Sequence, residues 1–256
     1  MSGRTQEKLV VDQYATQAQA YLASTGHATG EDLSALAALV HGRVGARVLD
    51  MGTGGGHVAY AVAPHVAEVV AYDITAEMLE VVARSAAERG LGNITTRQGP
   101  AERVPFDDGC FDLVVSRYSA HHWRDFDAGL REAARVTRPG GTVAMVDTIT
   151  PGNAMLDTFL QSIELLRDPS HVRNRTRAEW EESAARAGLL AQRADMFRIR
   201  IEFATWTARM RTPKVMADAI RALQDCAAET VRRHFAVAPD GGFCLDVTLF
   251  VFQKPD

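Results

Sequence analysis

The sequence predicts an open α/β sheet with mostly parallel strands, and three observations carry that reading. An apolar run, Val48-Leu49-Asp50, ends in an acid and passes at once into the glycine-dense turn Met51-Gly52-Thr53-Gly54-Gly55-Gly56-His57. A second apolar run, Val69-Val70-Ala71-Tyr72-Asp73, also ends in an acid, about 20 residues past the turn. Strand patterns then keep alternating with helix patterns as far as residue 150, which is the rhythm of a parallel sheet with helical crossovers.

Residues 5–24 read as a helix with Tyr14 and Tyr21 two turns apart on one face. Glu31 to His41 form a second helix, capped near Thr29-Gly30, before strand 1 at Arg47–Asp50. The apolar stretch Val58 to Val66 is the helix after the glycine turn, and strand 2 is Glu68–Tyr72. Thr75 stands as an N-cap for a helix that carries Met78, Leu79 and Val82 on one face and runs to Arg89. Gly90-Leu91-Gly92-Asn93 stops it, and strand 3 is Ile94–Gln98. Strand 4 is Phe111–Ser116, Asp127 to Val136 is helical, and Arg138-Pro139-Gly140-Gly141 turns sharply into strand 5, Thr142–Val146. Beyond Thr150 the rhythm changes. Helical stretches near 154–166, 177–187 and 214–234 surround a strand at Arg198–Phe203. The chain closes on an alternating strand, Cys244–Phe252, which has no helix after it and so lies antiparallel to its neighbour.

The acids decide which ligand the glycine turn suits. A dinucleotide loop sets a pyrophosphate over the turn, wants G-x-G-x-x-G/A, and tolerates no negative charge beside it. Counted from Gly52, the third glycine position is His57; counted from Gly54 it is Ala59, which passes, but the turn then starts four residues past Asp50. A carboxylate at the strand end repels a diphosphate and accepts hydrogen bonds from an ammonium group. S-adenosylmethionine carries an ammonium and a sulfonium and no phosphate, so it fits Asp50 better than NAD does. Asp50 then holds the amino-acid end of the ligand and Asp73 its ribose. A P-loop is excluded because no Gly-Lys-Ser/Thr follows the glycines.

Composition bounds the rest. The chain has 256 residues, 46% of them hydrophobic, enough for a substantial core, and a net charge of −4, so no global field attracts polyanions. The nearest thing to a basic run is Arg173, Arg175 and Arg177, read as a solvated helix entrance ahead of an anionic-substrate clamp. Cys110, Cys226 and Cys244 are far apart and form no C-x-x-C pair, which argues against a zinc site or a disulfide framework. No His/Cys/Asp/Glu group has metal-ligand spacing, so no metal is expected. The stretch Met1 to Leu22 lacks the apolar core of a signal peptide, and no run approaches membrane-spanning length. The expectation is a soluble cytoplasmic protein that engages neither membrane nor nucleic acid.

Over residues 10–150 the chain resembles class I S-adenosylmethionine-dependent methyltransferases, in the type 11 branch that includes ubiquinone/menaquinone-biosynthesis-like and small-molecule enzymes. The resemblance rests on Val48 to Gly56, Asp73, Ala101-Glu102-Arg103-Val104-Pro105-Phe106, Phe111-Asp112-Leu113-Val114, and Arg131-Glu132 with Arg138-Pro139-Gly140-Gly141. It implies a doubly wound, Rossmann-like seven-stranded sheet of order 3-2-1-4-5-7-6, strand 7 antiparallel, with a helical cap. It implies one domain over 1–256: N-terminal helices over the cofactor at 1–42, a cofactor-binding core at 43–150, substrate-cap segments with strand 6 at 151–236, and strand 7 at 244–253.

Residue by residue, the resemblance implies that Gly52, Thr53 and Gly54 line the methionine moiety and that Asp73 holds the ribose. Ile74 and Met78 lie against adenine, Ala101 and Glu102 at its edge, and Ser116 beside the sulfonium. Where the family usually has an acid, this chain has Pro100, so an adenine amino contact falls to Glu102 or to backbone. The first helix folds over the cofactor in this branch, which brings in Tyr14, Tyr21 and His27.

Methyl transfer from a sulfonium is an in-line displacement, so the protein mainly aligns a nucleophile and excludes water. A phenol, enol or acidic N–H acceptor also needs a base. Ser119-Ala120-His121-His122-Trp123 follows strand 4 at the ligand-bearing edge, and histidine titrates in the useful range. Two adjacent histidines on a helix cannot both face one site, and His121 is preferred. Trp206, Phe159 and Met210 are candidate apolar walls for a flat acceptor. The reading is therefore methyl transfer to an O, N or C nucleophile of a small molecule. The alternatives are an RNA or protein methyltransferase, a cofactor-binding module without turnover, and an NAD-dependent oxidoreductase.

Overall fold

The computed structural model describes residues 4–15 and 30–256 of the chain. Its strands are β1 (Arg47–Met51), β2 (Glu68–Asp73), β3 (Ile94–Gln98), β4 (Phe111–Arg117), β5 (Thr137–Thr148), β6 (Leu190–Ile201) and β7 (Phe243–Gln253). They form one seven-stranded sheet of order β3-β2-β1-β4-β5-β7-β6. Pairing is parallel from β3 across to β5, and β7 runs antiparallel to both β5 and β6. Both the strand order and the antiparallel seventh strand agree with the expectation from sequence.

Strand side chains alternate between faces, and here both faces are covered. Val48, Val69, Ala71, Leu113, Val115, Ala144 and Val146 belong to one core with α2 (Glu31–Ala37) and α3 (His57–Val62). Leu49, Val70, Tyr72, Val114, Val143 and Met145 belong to a second core with α5 (Phe126–Val136) and α7 (Arg177–Arg186). Burial on both sides is why the central strands read as unbroken apolar runs. A buried ion pair, Arg117 Nε to Asp32 Oδ2 at 2.7 Å, ties α2 to the end of β4.

A third core, built on Leu156, Phe159, Leu160, Ile163, Trp206, Phe235 and Phe243, holds the cap together. It includes α6 (Ala154–Arg167), α8 (Phe203–Arg209), α9 (Lys214–Cys226) and α10 (Glu229–His234). Among the described residues the other α-helices are α1 (Gln6–Ala15) and α4 (Ala76–Glu88). No helix among the described residues is long and apolar enough to cross a membrane.

Several boundaries differ from the sequence reading. Strand 6 is not Arg198–Phe203 but Leu190–Ile201, paired along its length with β7, and Phe203 opens a helix instead. As an edge strand it is exposed at most positions, and that hides the apolar signal. The stretch 214–234 is two helices, broken where Ala227 and Ala228 turn extended. Thr75 takes the N-cap position but makes no side-chain cap. Strand β5 begins at Thr137 rather than Thr142: Thr137 pairs with Phe111, the Pro139-Gly140 excursion bulges out, and pairing resumes at Leu113 with Thr142. The helix expected over 5–24 is described as Gln6–Ala15; the remainder, with Tyr21 and His27, lies outside the described residues.

Candidate functional site

The carboxyl ends of β1, β2 and β4, the glycine loop, α1 and the cap enclose a cavity of ≈ 1040 Å³. Open α/β sheets place ligands at this edge.

Its floor is the glycine loop, and two acids shape that loop. Asp50, 1% exposed, accepts the Thr53 hydroxyl at 2.6 Å and the Ala59 N–H at 3.1 Å through the same oxygen. The acid therefore ties strand, loop and helix α3 together. Asp73 accepts the Gly54 N–H at 2.9 Å on one oxygen and the Thr75 N–H at 2.9 Å on the other. Gly52 is at φ 77, and a Cβ there would run into Ser119. Gly54 is at φ 50 with nothing within 4 Å of where a Cβ would stand, so the loop backbone is bare towards the cavity. Burial pushes the Asp50 carboxyl up to about 7, against the Thr53 and Ala59 hydrogen bonds, and the Asp73 charge adds to the rise. Enclosure raises Asp73 as well, opposed by its backbone N–H donors. Two carboxylates that oppose each other's ionisation at one cavity floor suit a cation and repel a diphosphate.

The second polar group sits where β4 and β5 end. Tyr118 takes the left-handed backbone region (φ 53) and swings the chain out of β4 into a 3-10 turn, Ala120–His122. On that turn His121 Nδ1 lies 2.6 Å from Asp147 Oδ1, and the His121 backbone N–H bonds the other oxygen at 3.2 Å. The carboxylate partner assigns the proton to Nδ1 and leaves the Nε2 lone pair for a ligand. Burial depresses the His121 imidazolium, but the charge and hydrogen bond of Asp147 outweigh it, and the net shift is upward.

His122 behaves oppositely: burial and the neighbouring His121 pull it down to about 4, so it is neutral at physiological pH. Its Nδ1 faces the Ser170 carbonyl at 3.1 Å, and its Nε2 meets the Tyr14 hydroxyl at 2.8 Å. Tyr14 also lies 3.1 Å from Asp168, so α1 is pinned over the cavity by this network.

Most of the residues singled out in the sequence come together here. Tyr14, Asp50, Gly52, Thr53, Gly54, Asp73, Ile74, Met78, Ala101, Glu102 and His121 all border the cavity, as does Pro100. Ser116 does not. It is buried beneath Gly52 with its hydroxyl unpartnered, and Ser119, three residues on, holds the cavity-facing position instead. The extra length of β4, which runs to Arg117, puts Ser116 inside the sheet.

The premise that His121 and His122 cannot share a site also fails: they stand on a 3-10 turn, and both border the cavity. Trp206 lines it, whereas Phe159 and Met210 are buried away from it. Arg173 and Arg177 pair with Asp157 and Glu181, and Arg175 lies over Phe126, so the basic run makes no clamp. Sequence reading missed Asp147, Glu164 and Arg167. Asp147 was signalled by its place, an acid directly after the apolar run of strand 5.

Residues 49–145 match a protein-family profile described as a methyltransferase domain. The chain is 46% identical over 199 residues to the uncharacterized protein YafE of Escherichia coli, covering 78% of this chain and 96% of that one. It is 34% identical over 241 residues to the uncharacterized methyltransferase YcgJ of Bacillus subtilis, covering 92% of this chain and 95% of that one. The crystal structure of YcgJ superposes with a TM-score of 0.85 over 88% of this chain and 98% of that one. A demethylmenaquinone methyltransferase of Mycolicibacterium gilvum is 39% identical over 112 residues, covering 44% of this chain and 46% of its own.

The raised Asp50 carboxyl gives a pH signature. Between its ordinary 3.8 and about 7 the folded protein holds a proton that the unfolded chain gives up, so Asp50's contribution to stability falls as pH rises through that window and is flat above it. Asp50→Asn lacks that contribution. Between about pH 5 and about pH 7.5 the stability difference should move in the variant's favour by on the order of 2 kcal/mol, measured by urea unfolding. A difference that stays constant over this range would contradict the raised carboxyl.

Proposed function

The chain belongs to the S-adenosylmethionine-dependent methyltransferases, and from that premise we propose that it methylates an O, N or C nucleophile of a small-molecule acceptor by in-line displacement. The observation that carries this reading is one cavity bordered both by two strand-end carboxylates and by His121, whose Nδ1 is held from behind by the buried Asp147.

The residues present fit S-adenosylmethionine. Asp50 and Asp73 set two carboxyl groups at the floor, whose ionised forms a ligand with an ammonium and a sulfonium would favour. Gly54 keeps the loop backbone bare for the methionine moiety, beside Gly52 and Thr53. Asp73, partly open to the cavity, holds the ribose. Ile74 and Met78 flank the adenine, with Ala101 and Glu102 at its edge; Glu102 already accepts the Asp125 N–H at 3.2 Å. Tyr14 covers the ligand from α1; Tyr21 lies outside the described residues. Once bound, the cofactor supplies a methyl group already activated on sulfur.

The chain's own residues do the rest. His121 takes the proton of an acceptor O–H or N–H on Nε2 as the nucleophile forms its bond to carbon. Asp147 fixes the tautomer through Nδ1 and stabilises the imidazolium. The walls of α1 and the cap exclude water. The apolar strand ends Ile199, Ile201, Leu245 and Val247 offer contact to an organic acceptor body, and this supports a small molecule over RNA or protein.

Two measurements test this account. Asp73→Ala removes a charged acceptor, so the affinity for S-adenosylhomocysteine should fall by about 1.5–3 kcal/mol for each lost hydrogen bond. An unchanged calorimetric affinity would remove the ribose assignment. His121→Ala, assayed with an acceptor found by screening, should lower kcat by ~10²–10⁴ with cofactor affinity intact. The wild-type rate should climb as His121 loses its proton, above the ordinary histidine pKa of 6.5. A loss under about threefold, or a flat pH profile, would leave alignment alone as the source of rate.

A further inference from the structure

The methyltransferase reading leaves the acceptor open, and a polar pair on α6 narrows it. Leu156, Phe159, Leu160 and Ile163 turn one face of α6 into the third core, and Glu164 and Arg167 continue that buried side. They are 7% and 9% exposed, and both border the cavity. The other buried acids among the described residues all receive hydrogen bonds. Asp32 is served by Arg117 and Tyr118, Asp50 by Thr53 and Ala59, Asp147 by His121, and Asp168 by Ser170 and Tyr14.

The Glu164 carboxyl receives none; its ion-pair partner is Arg167, with Nη1 and Oε2 3.7 Å apart, too far for a hydrogen bond. Arg167 is itself anchored, giving its Nε–H to the Trp206 carbonyl at 3.1 Å and lying over the Trp206 indole at 4.8 Å. A carboxyl held among protein atoms without a protein donor takes one from water or ligand, and Glu164 faces the cavity, where either can reach it. Burial pushes Glu164 above the ordinary carboxyl range, against the pull of Arg167 and His121.

Resting on the methyltransferase reading, we propose that Glu164 and Arg167 form the head-group subsite for the methyl acceptor. The head they take is uncharged and carries a hydrogen-bond donor beside an acceptor, as in a carboxamide or a hydroxyl next to a carbonyl. Glu164 receives the donor, and the Arg167 guanidinium serves the oxygen. An anionic head would join three buried carboxyl groups that already influence one another there: Asp147, Glu164 and Asp168. A cationic head would meet Arg167. Trp206, Ile199 and Val247, which also line the cavity, cover an apolar body.

The test uses the full chain loaded with S-adenosylhomocysteine and titrated calorimetrically with benzamide and with benzoate, two probes of one shape that differ in the head. Benzamide should bind about ten-fold or more tightly than benzoate. In Glu164→Gln, whose own amide can donate to a carboxylate, that preference should vanish or reverse. S-adenosylhomocysteine affinity in this variant should match wild type, which shows that the variant is folded. Equal or tighter benzoate binding, no benzamide binding at millimolar concentration, or a preference that survives in Glu164→Gln would each overturn the subsite. Wild-type protein that fails to bind S-adenosylhomocysteine would instead bring down the methyltransferase reading, and the subsite with it.

Discussion

Two carboxylates of like charge end adjacent parallel strands, and the backbone between and around them is arranged so that both can be kept there. Strands β1 and β2 pair in register through Met51 and Tyr72, so Asp50 and Asp73 finish at the same edge. Neither is left to water. Asp50 is satisfied by Thr53 and the first turn of α3, Asp73 by Gly54 and Thr75, and the Gly52 and Thr53 N–H groups both reach the Tyr72 carbonyl at 2.7 and 2.9 Å. The glycines follow from this lacing. A side chain at Gly52 would collide with Ser119, and one at Gly54, which borders the cavity, would meet no protein atom within 4 Å but would strain a backbone at φ 50. Each carboxyl raises the cost of ionising the other, a cost that a nearby cation lowers and a phosphate increases.

The reacting half of the cavity is assembled differently. It draws on the end of β5 and on the turn after β4, α6 and the segment 168–174, and the last three lie outside the regular βα rhythm. The His121 carbonyl accepts the Val172 and Arg173 N–H groups, so this segment is docked directly on the turn that carries His121. The same turn gives His122 to Tyr14 on α1. The histidines are driven apart in basicity by their surroundings: Asp147 raises one, while burial next to that one depresses the other. One imidazole is thus poised to exchange a proton, while its neighbour serves as a neutral post for the covering helix.

What could be read in the sequence was what is local. Strand, glycine loop, helix and the two acids fall within residues 47–73, and their geometry is dictated over that span by backbone chemistry. The central strands were legible because burial on both faces leaves them uniformly apolar. Strand β6 was truncated in that reading because an edge strand with an exposed face loses the apolar run, and the break at Ala227-Ala228 was invisible because alanine carries no stop signal. Ser116 was expected at the end of β4, whereas the strand continues to Arg117 and leaves Ser116 buried within it. The partners of the acceptor half were the least legible. His121 meets Asp147 across 26 residues and Tyr14 meets His122 across 108, pairings that only the folded sheet edge brings together.

The most direct test of the account is a crystal structure of the protein with S-adenosylhomocysteine. The account predicts the ribose hydroxyls on the Asp73 carboxylate, the amino-acid end over Gly52 to Gly54 above Asp50, and the sulfur turned towards the space before His121. A ligand bound elsewhere, or one whose ribose lies away from Asp73, would contradict the claim that the two strand-end carboxylates define this site.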